Sequence, residues 1–117
     1  MTLTDPYTVR DLNITVNLTH GRYADLKFEL IGPSGPNGEP PLEVLLCNVG
    51  GLSGSGTKTF VFDDEGARGT IRPVQPLSSY DGTSIQGTWM LRITDMVKNN
   101  KTGSLTSWTL TVVPETP

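Results

Sequence analysis

In Leu12-Asn13-Ile14-Thr15-Val16-Asn17-Leu18-Thr19, every even position is aliphatic and every odd position is polar. Successive side chains of an extended strand point to opposite faces, so this period of two describes a strand with one face on a core. The pattern returns in Asp25-Leu26-Lys27-Phe28-Glu29-Leu30, with Leu26, Phe28 and Leu30 inward and His20-Gly21-Arg22-Tyr23 as a short connection. Near the other end, Thr88-Trp89-Met90-Leu91-Arg92-Ile93 alternates with Trp89, Leu91 and Ile93 inward. Trp108, Leu110 and Val112 form the last inward row, and Leu105 is out of phase with it, which predicts a bulge or turn near Thr106.

The segments between these strands are rich in turn signals. Gly32 to Pro41 holds four prolines and three glycines, a composition that ends strands. Leu42–Leu46 reads as a third strand and Thr59–Phe62 as a short one, with a Gly- and Ser-rich surface loop over 48–58 between them. Asp63-Asp64-Glu65-Gly66 is an acidic turn, residues 67–87 look irregular, and Lys98-Asn99-Asn100-Lys101-Thr102-Gly103 is a further turn. No segment shows helical periodicity. Many short strands at this spacing predict an all-β, jelly-roll-like β-sandwich. The expected organisation is a single domain over 1–117, with residues 1–10 as a leader and 114–117 as the start of a linker.

With 117 residues, such a domain can bury a core without staples. The net charge of −3 and the lack of a basic patch argue against a nucleic-acid partner. No apolar run approaches the roughly 20 residues of a membrane helix. Residues 1–10 lack the charged and apolar regions of a signal peptide, so if the parent protein is secreted its export signal is expected outside this sequence. The lone Cys47 can form no internal disulfide, and it follows an apolar run, as an inert buried thiol does.

Catalytic constellations are thin. A serine triad needs a histidine, and the single His20 sits at a strand end, where a structural, hydrogen-bonded role is expected. Gly51-Leu52-Ser53-Gly54-Ser55-Gly56-Thr57-Lys58 resembles a phosphate loop only superficially, because a strand and not a helix follows. Asp63 and Asp64 are adjacent and point apart if extended, which suits glycoside hydrolysis poorly. Trp89 and Trp108 are in phase with aliphatic neighbours and read as core, while Tyr7, Tyr23 and Tyr80 are too scattered to define a sugar-stacking platform.

Calcium is the leading site hypothesis. Asp25 starts one strand, Asp63 and Asp64 end another, and Asp95 ends a third, so the four carboxylates are expected to converge on one rim of the sandwich. Calcium takes six to eight oxygen ligands, and a divalent cation relieves the repulsion of adjacent acids. The alternative is that these are ordinary turn carboxylates bonded to their own backbone. Asn13-Ile14-Thr15, Asn17-Leu18-Thr19 and Asn100-Lys101-Thr102 match the glycosylation sequon, as chance products of a Thr- and Asn-rich composition.

Two stretches carry a family resemblance. Leu12 to His20 is an alternating strand ending in Thr-His, followed by Ala24-Asp25-Leu26 and a strand ending in Pro33-Ser34-Gly35. Gly87-Thr88-Trp89 opens an alternating strand to Asp95, followed by Gly103-Ser104-Leu105-Thr106-Ser107-Trp108-Thr109-Leu110. Phe62-Asp63-Asp64-Glu65, Arg72-Pro73 and Pro76-Leu77 lie between them in matching order. Together these resemble the P domain (P/Homo B domain) of subtilisin-like proprotein convertases, in its bacterial form. Ala24 stands where the family usually has Gly, and Gln86 where Asn often precedes Gly-Thr-Trp. The resemblance implies a non-catalytic accessory domain of a secreted subtilisin-like protease or multidomain extracellular protein. Its expected partner is an attached catalytic or other extracellular domain, whose folding and stability it supports. It further implies bound Ca2+, secretion to an extracellular or periplasmic location, and a monomer when isolated. The rival reading is a carbohydrate- or cell-surface-binding β-sandwich module.

Overall fold

The computed structural model describes residues 2–4, 6–34, 40–64, 70–96 and 103–115. Eight strands follow in chain order: β1 (Thr2–Leu3), β2 (Thr8–His20), β3 (Leu26–Ile31), β4 (Glu43–Cys47), β5 (Gly56–Phe62), β6 (Gly87–Thr88), β7 (Met90–Asp95) and β8 (Gly103–Glu115). One antiparallel sheet has the order β5-β2-β8, the other β4-β3-β7, and β1 pairs with β6 in a small ribbon. The result is an all-β sandwich.

The alternation places the core. Leu12, Ile14, Val16 and Leu18 of β2 face Phe28 and Leu30 of β3 and Val44 and Leu46 of β4 in one apolar cluster. Phe28 joins the sheets directly, with ring centroids 6.4 Å from Phe60 and 5.9 Å from Phe62. Trp89 is fully buried between β6 and β7 and meets Tyr80 edge-on at 5.0 Å, while its indole Nε1–H donates to the Ile85 carbonyl at 2.9 Å. Leu91, Ile93, Trp108, Leu110 and Val112 keep the expected inward phase but are only partly buried against the cluster.

The expected bulge is present. Asn17 pairs with Ser107 and Leu18 with Leu105, so Thr106 is the extra residue. The leader and linker expectations are corrected. Val9 is 1% exposed and belongs to the core, residues 8–10 are the start of β2, and Pro114 and Glu115 are still in β8. The backbone there is held by a long register with β2, which alternation of side chains alone does not reveal. β4 is shifted one residue from the expected Leu42–Leu46, and Leu42 is exposed. The 48–58 loop ends earlier than expected because Gly56 already pairs with His20. The expected features at 35–39, 65–69 and 97–102, including the Asn100 sequon and the turn before Gly103, lie outside the described residues.

Candidate functional site

β2 ends at His20, and three residues in a 3-10 turn, Tyr23–Asp25, carry the chain over to β3 in the other sheet. The Tyr23 hydroxyl reaches the Leu18 carbonyl at 3.0 Å and also the Gly56 carbonyl, which pins the turn to β2 and β5. The glycine-rich segment packs on it, with Tyr23 N–H donating to Gly54 O at 3.0 Å and Gly50 N–H to Ala24 O at 2.8 Å. These glycines serve the turn rather than a phosphate.

His20 is the chemical centre of this end. It is 6% exposed. The Arg22 backbone N–H donates to His20 Nδ1 at 2.9 Å, so Nδ1 carries the lone pair. The ring proton of the neutral imidazole is therefore on Nε2, which donates to Asp95 Oδ2 at 3.1 Å. A cleft of about 490 Å³ opens beside the pair, with Leu18, Leu26, Leu91, Ile93 and Leu105 as its apolar wall and Ser104 at its polar end. Ser104, His20 and Asp95 share that cleft, yet they cannot act as a triad in this arrangement. A triad histidine needs one nitrogen free to accept a hydroxyl proton, and here one nitrogen accepts from backbone while the other donates to the acid.

The four aspartates fall into two pairs. Asp95 pairs with Leu26, directly after Asp25, so Asp25 and Asp95 share the His20 end. Asp25 is buried at the end of the 3-10 turn, with Arg22 Nε 3.5 Å from its Oδ1. Asp63 follows Phe62, which pairs with Ile14, and with the Asn13 amide oriented nitrogen toward acceptors, Asn13 Nδ2 donates to Asp63 Oδ1 at 3.2 Å. From Asn13 to His20 the strand runs roughly 23 Å at about 3.3 Å per residue. The expected convergence on one rim is therefore corrected: β5 runs antiparallel to β2, so its last residues lie far from the His20 end. Asp64 has a structural task. Its Oδ1 accepts from Leu77 N–H at 2.7 Å and its Oδ2 from Ser78 N–H at 2.6 Å, at the start of the 3-10 helix Leu77–Tyr80. Among the described residues, no group of three or more His, Cys, Asp or Glu is placed to hold a metal ion.

Sequence reasoning missed the His20–Asp95 bond and the Asp64 cap, which join residues 75 and 13 positions apart; no local motif marks either one. Tyr23 and Tyr80, which show no alternation that would mark them as core, are both buried. The Tyr80 hydroxyl lies 2.8 Å from both the Leu30 and Leu42 carbonyls and shares its proton between them. Burial pushes the Tyr80 phenol far up, with the Glu43 carboxylate adding to the rise, and burial also pushes the Tyr23 phenol and Cys47 thiol upward. With Trp89 buried as well, none of these rings offers a stacking face to a sugar.

An antiparallel sandwich with its one histidine tied into the fold is the class of domain that structure and site define. The family model for the proprotein convertase P-domain matches residues 9–112. A curated relative, an extracellular serine protease of Aeromonas sobria, is 32% identical over 101 residues, which is 86% of this chain and 15% of that protein. No solved structure matches. The chain belongs to the proprotein convertase P-domain family. It spans only about 15% of the length of the curated relative it matches.

Proposed function

We propose that this chain is a non-catalytic accessory domain of a secreted serine protease and that it supports folding and stability of the catalytic domain attached to it. The family match supports the setting, and the extracellular relative supports secretion. The observation that carries the non-catalytic part is the engagement of both His20 nitrogens, one by Arg22 N–H and one by Asp95. The test has two arms. The isolated domain is assayed against peptide and ester substrates, with no turnover expected; turnover abolished by His20→Ala overturns the reading. The segment is then deleted from its full-length polypeptide, with loss of secreted protease activity expected. Undiminished secretion and thermal inactivation at the parental rate would overturn the stabilising role.

Calcium is part of the proposal, now at one aspartate pair rather than at all four residues. The Asp25–Asp95 end is favoured because the register of β3 and β7 brings these two carboxylates to the same end, where a cation would compete with Arg22 for Asp25 and with His20 for Asp95, whereas both Asp64 oxygens accept backbone N–H groups of the 3-10 cap. Backbone carbonyls and water would complete the ligand shell at about 2.3–2.6 Å. Binding to the folded state alone adds about 2.7 kcal/mol when calcium is at a hundred times its Kd. Calorimetric titration of chelator-treated domain is expected to show heat that Asp25→Asn abolishes and Asp63→Asn leaves in place. The reverse pattern moves the site to the other end, and no heat from the unsubstituted domain ends the calcium reading.

A further inference from the structure

The two flanks of the sandwich are closed differently. On one flank, residues 71–75 lie along the outer edges of β4 and β5. Ile71 N–H donates to Val61 O at 2.7 Å and Asp63 N–H to Ile71 O at 2.9 Å, while Gln75 N–H donates to Leu45 O at 2.9 Å and Val74 N–H to Leu46 O at 3.1 Å. Gln75 Oε1 accepts from Leu45 N–H at 2.8 Å, completing the cover. On the other flank lie β7 and β8, each an edge strand, and among the described residues β8 pairs with β2 alone.

An edge strand offers unpaired N–H and C=O groups to any extended chain, and proteins blunt such edges with charges, prolines or bulges. β7 carries Arg92 and Asp95, β5 carries Lys58, and β4 carries Glu43. From Gly103 to Pro114, β8 carries no charge at all. Its protective devices sit at its two ends, the bulge at Thr106 and Pro114. Between them, Ser107 to Val113 pairs with Asn17 to Asp11 through seven uninterrupted positions. Trp108, Leu110 and Val112 point inward there and remain only partly buried, and Leu91 and Ile93 of β7 are partly buried as well. At one end of this row the 490 Å³ cleft beside Leu105 opens between the sheets, and at the other Leu3, Thr4 and Ile85 line a smaller cavity with Leu110 and Val112, so among the described residues the apolar row is only half covered beyond β8.

We infer that the outer edge of β8, over Ser107–Val113, accepts an extended strand from a partner polypeptide. The edge fixes the partner's backbone, since only a strand satisfies a row of alternating donors and acceptors. The half-covered row fixes its side chains: apolar at every second position, to close over Trp108, Leu110 and Val112. Away from the His20–Asp95 pair the wall is apolar and disfavours charge on that face, because an ion set against Leu91, Ile93 and Leu110 loses its hydration without a counter-ion.

The probe is a capped nine-residue peptide of alternating valine and threonine, added to the folded domain and followed by amide NMR and hydrogen exchange. Slowed exchange is expected at alternate amides of Ser107–Val113, those directed away from β2, with shift changes at Leu91 and Ile93. The same peptide N-methylated at alternate residues, or with lysine for valine, is expected to bind at least about tenfold more weakly. Leu110→Lys should abolish binding. Thr109→Lys and Thr111→Lys, on the exposed face, should weaken it while leaving the melting temperature intact, which separates a lost edge from a lost fold. Absence of protection, or binding indifferent to N-methylation, overturns the inference. So does a dimer in sedimentation that Thr109→Lys dissolves, because the occupant of the edge is then a second copy of the chain.

Discussion

His20 Nε2 donates to Asp95 Oδ2 across 3.1 Å, joining the last residue of β2 to the last residue of β7 in the opposite sheet. The bond ties the two sheets at one end of the sandwich. It also holds the imidazole so that Nδ1 receives the Arg22 N–H and shapes the turn into β3.

His20→Ala should therefore destabilise the domain by about 1–3 kcal/mol, because it leaves the Arg22 N–H without its acceptor in a part-buried place. Asp95→Asn keeps an acceptor oxygen for Nε2–H and should cost less. Urea unfolding of both variants checks the order. Nitrogen-15 shifts of the ring should show the proton on Nε2 at neutral pH.

Trp89→Ala should cost about 3–5 kcal/mol, through the cavity left beside Tyr80 and the orphaned Ile85 carbonyl. Trp108→Ala should cost clearly less, since Trp108 is only partly buried at an edge strand. Acrylamide quenching of single-tryptophan variants provides an independent check: quenching is expected for Trp108 and protection for Trp89.

Alternation alone points both tryptophans inward, and in phase both are. What alternation could not show is how completely the opposite sheet covers each position. A period of two specifies which face a side chain takes, not whether a neighbouring strand lies beyond it. Trp89 has Tyr80 and the 77–85 segment over it, whereas Trp108 stands on a strand with no outer neighbour among the described residues. The same limit governs the aspartates. Asp95 ends β7, while Asp25 lies in the 3-10 turn just before β3 and Asp63 and Asp64 just past β5; strand ends lie at two ends of a sandwich, and the antiparallel register of β5 on β2 sends Asp63 away from Asp25. Thr106 shows the opposite case. There the parity of Leu105 against Trp108 was a local signal, and the register shift sits at that residue.

Asp64→Ala should lower stability by roughly 1 kcal/mol, as the loss of a helix N-cap does, because the N–H groups of Leu77 and Ser78 lose their carboxylate. Asp64→Asn retains one carbonyl acceptor and should recover part of that loss. Neither variant should alter the calcium titration. Parallel calorimetry and thermal melts of the two variants separate a cap from a ligand.

Gly103→Ala should disrupt the first pairs of β8. A Cβ at Gly103 would lie 2.1 Å from the Thr19 carbonyl oxygen and 2.8 Å from His20 Cα, both backbone atoms. Neither can swing aside, so β8 must lift from β2 at the His20 end. A cost of about 1–3 kcal/mol is expected for such overpacking. Faster hydrogen exchange confined to residues 18–20 and 103–105 would show the local origin, and a stability equal to that of the parent domain would contradict the packing.

Alkaline pH should unfold this domain from within. The Tyr80 and Tyr23 phenols and the Cys47 thiol are all shifted upward in the folded chain by burial, and in the unfolded chain they return to ordinary values. At neutral pH all three are protonated in both states and contribute no pH dependence. As pH rises through the unfolded values, roughly 8.5 for the thiol and 10 for the phenols, the unfolded chain gives up these protons while the folded chain holds them. The unfolded state then binds fewer protons, so stability falls with increasing pH. The contribution of the tyrosines is therefore fully present below about pH 10 and is lost above it. Tyr80→Phe removes the ionisable group and also the hydroxyl bonds to Leu30 and Leu42. It should lower stability at neutral pH yet flatten the alkaline decline. Urea midpoints measured from neutral to strongly alkaline pH test both halves. Phenolate absorbance from Tyr23 and Tyr80 should appear together with unfolding; if it appears in the native domain at ordinary phenol pH, these two rings are not held in the core.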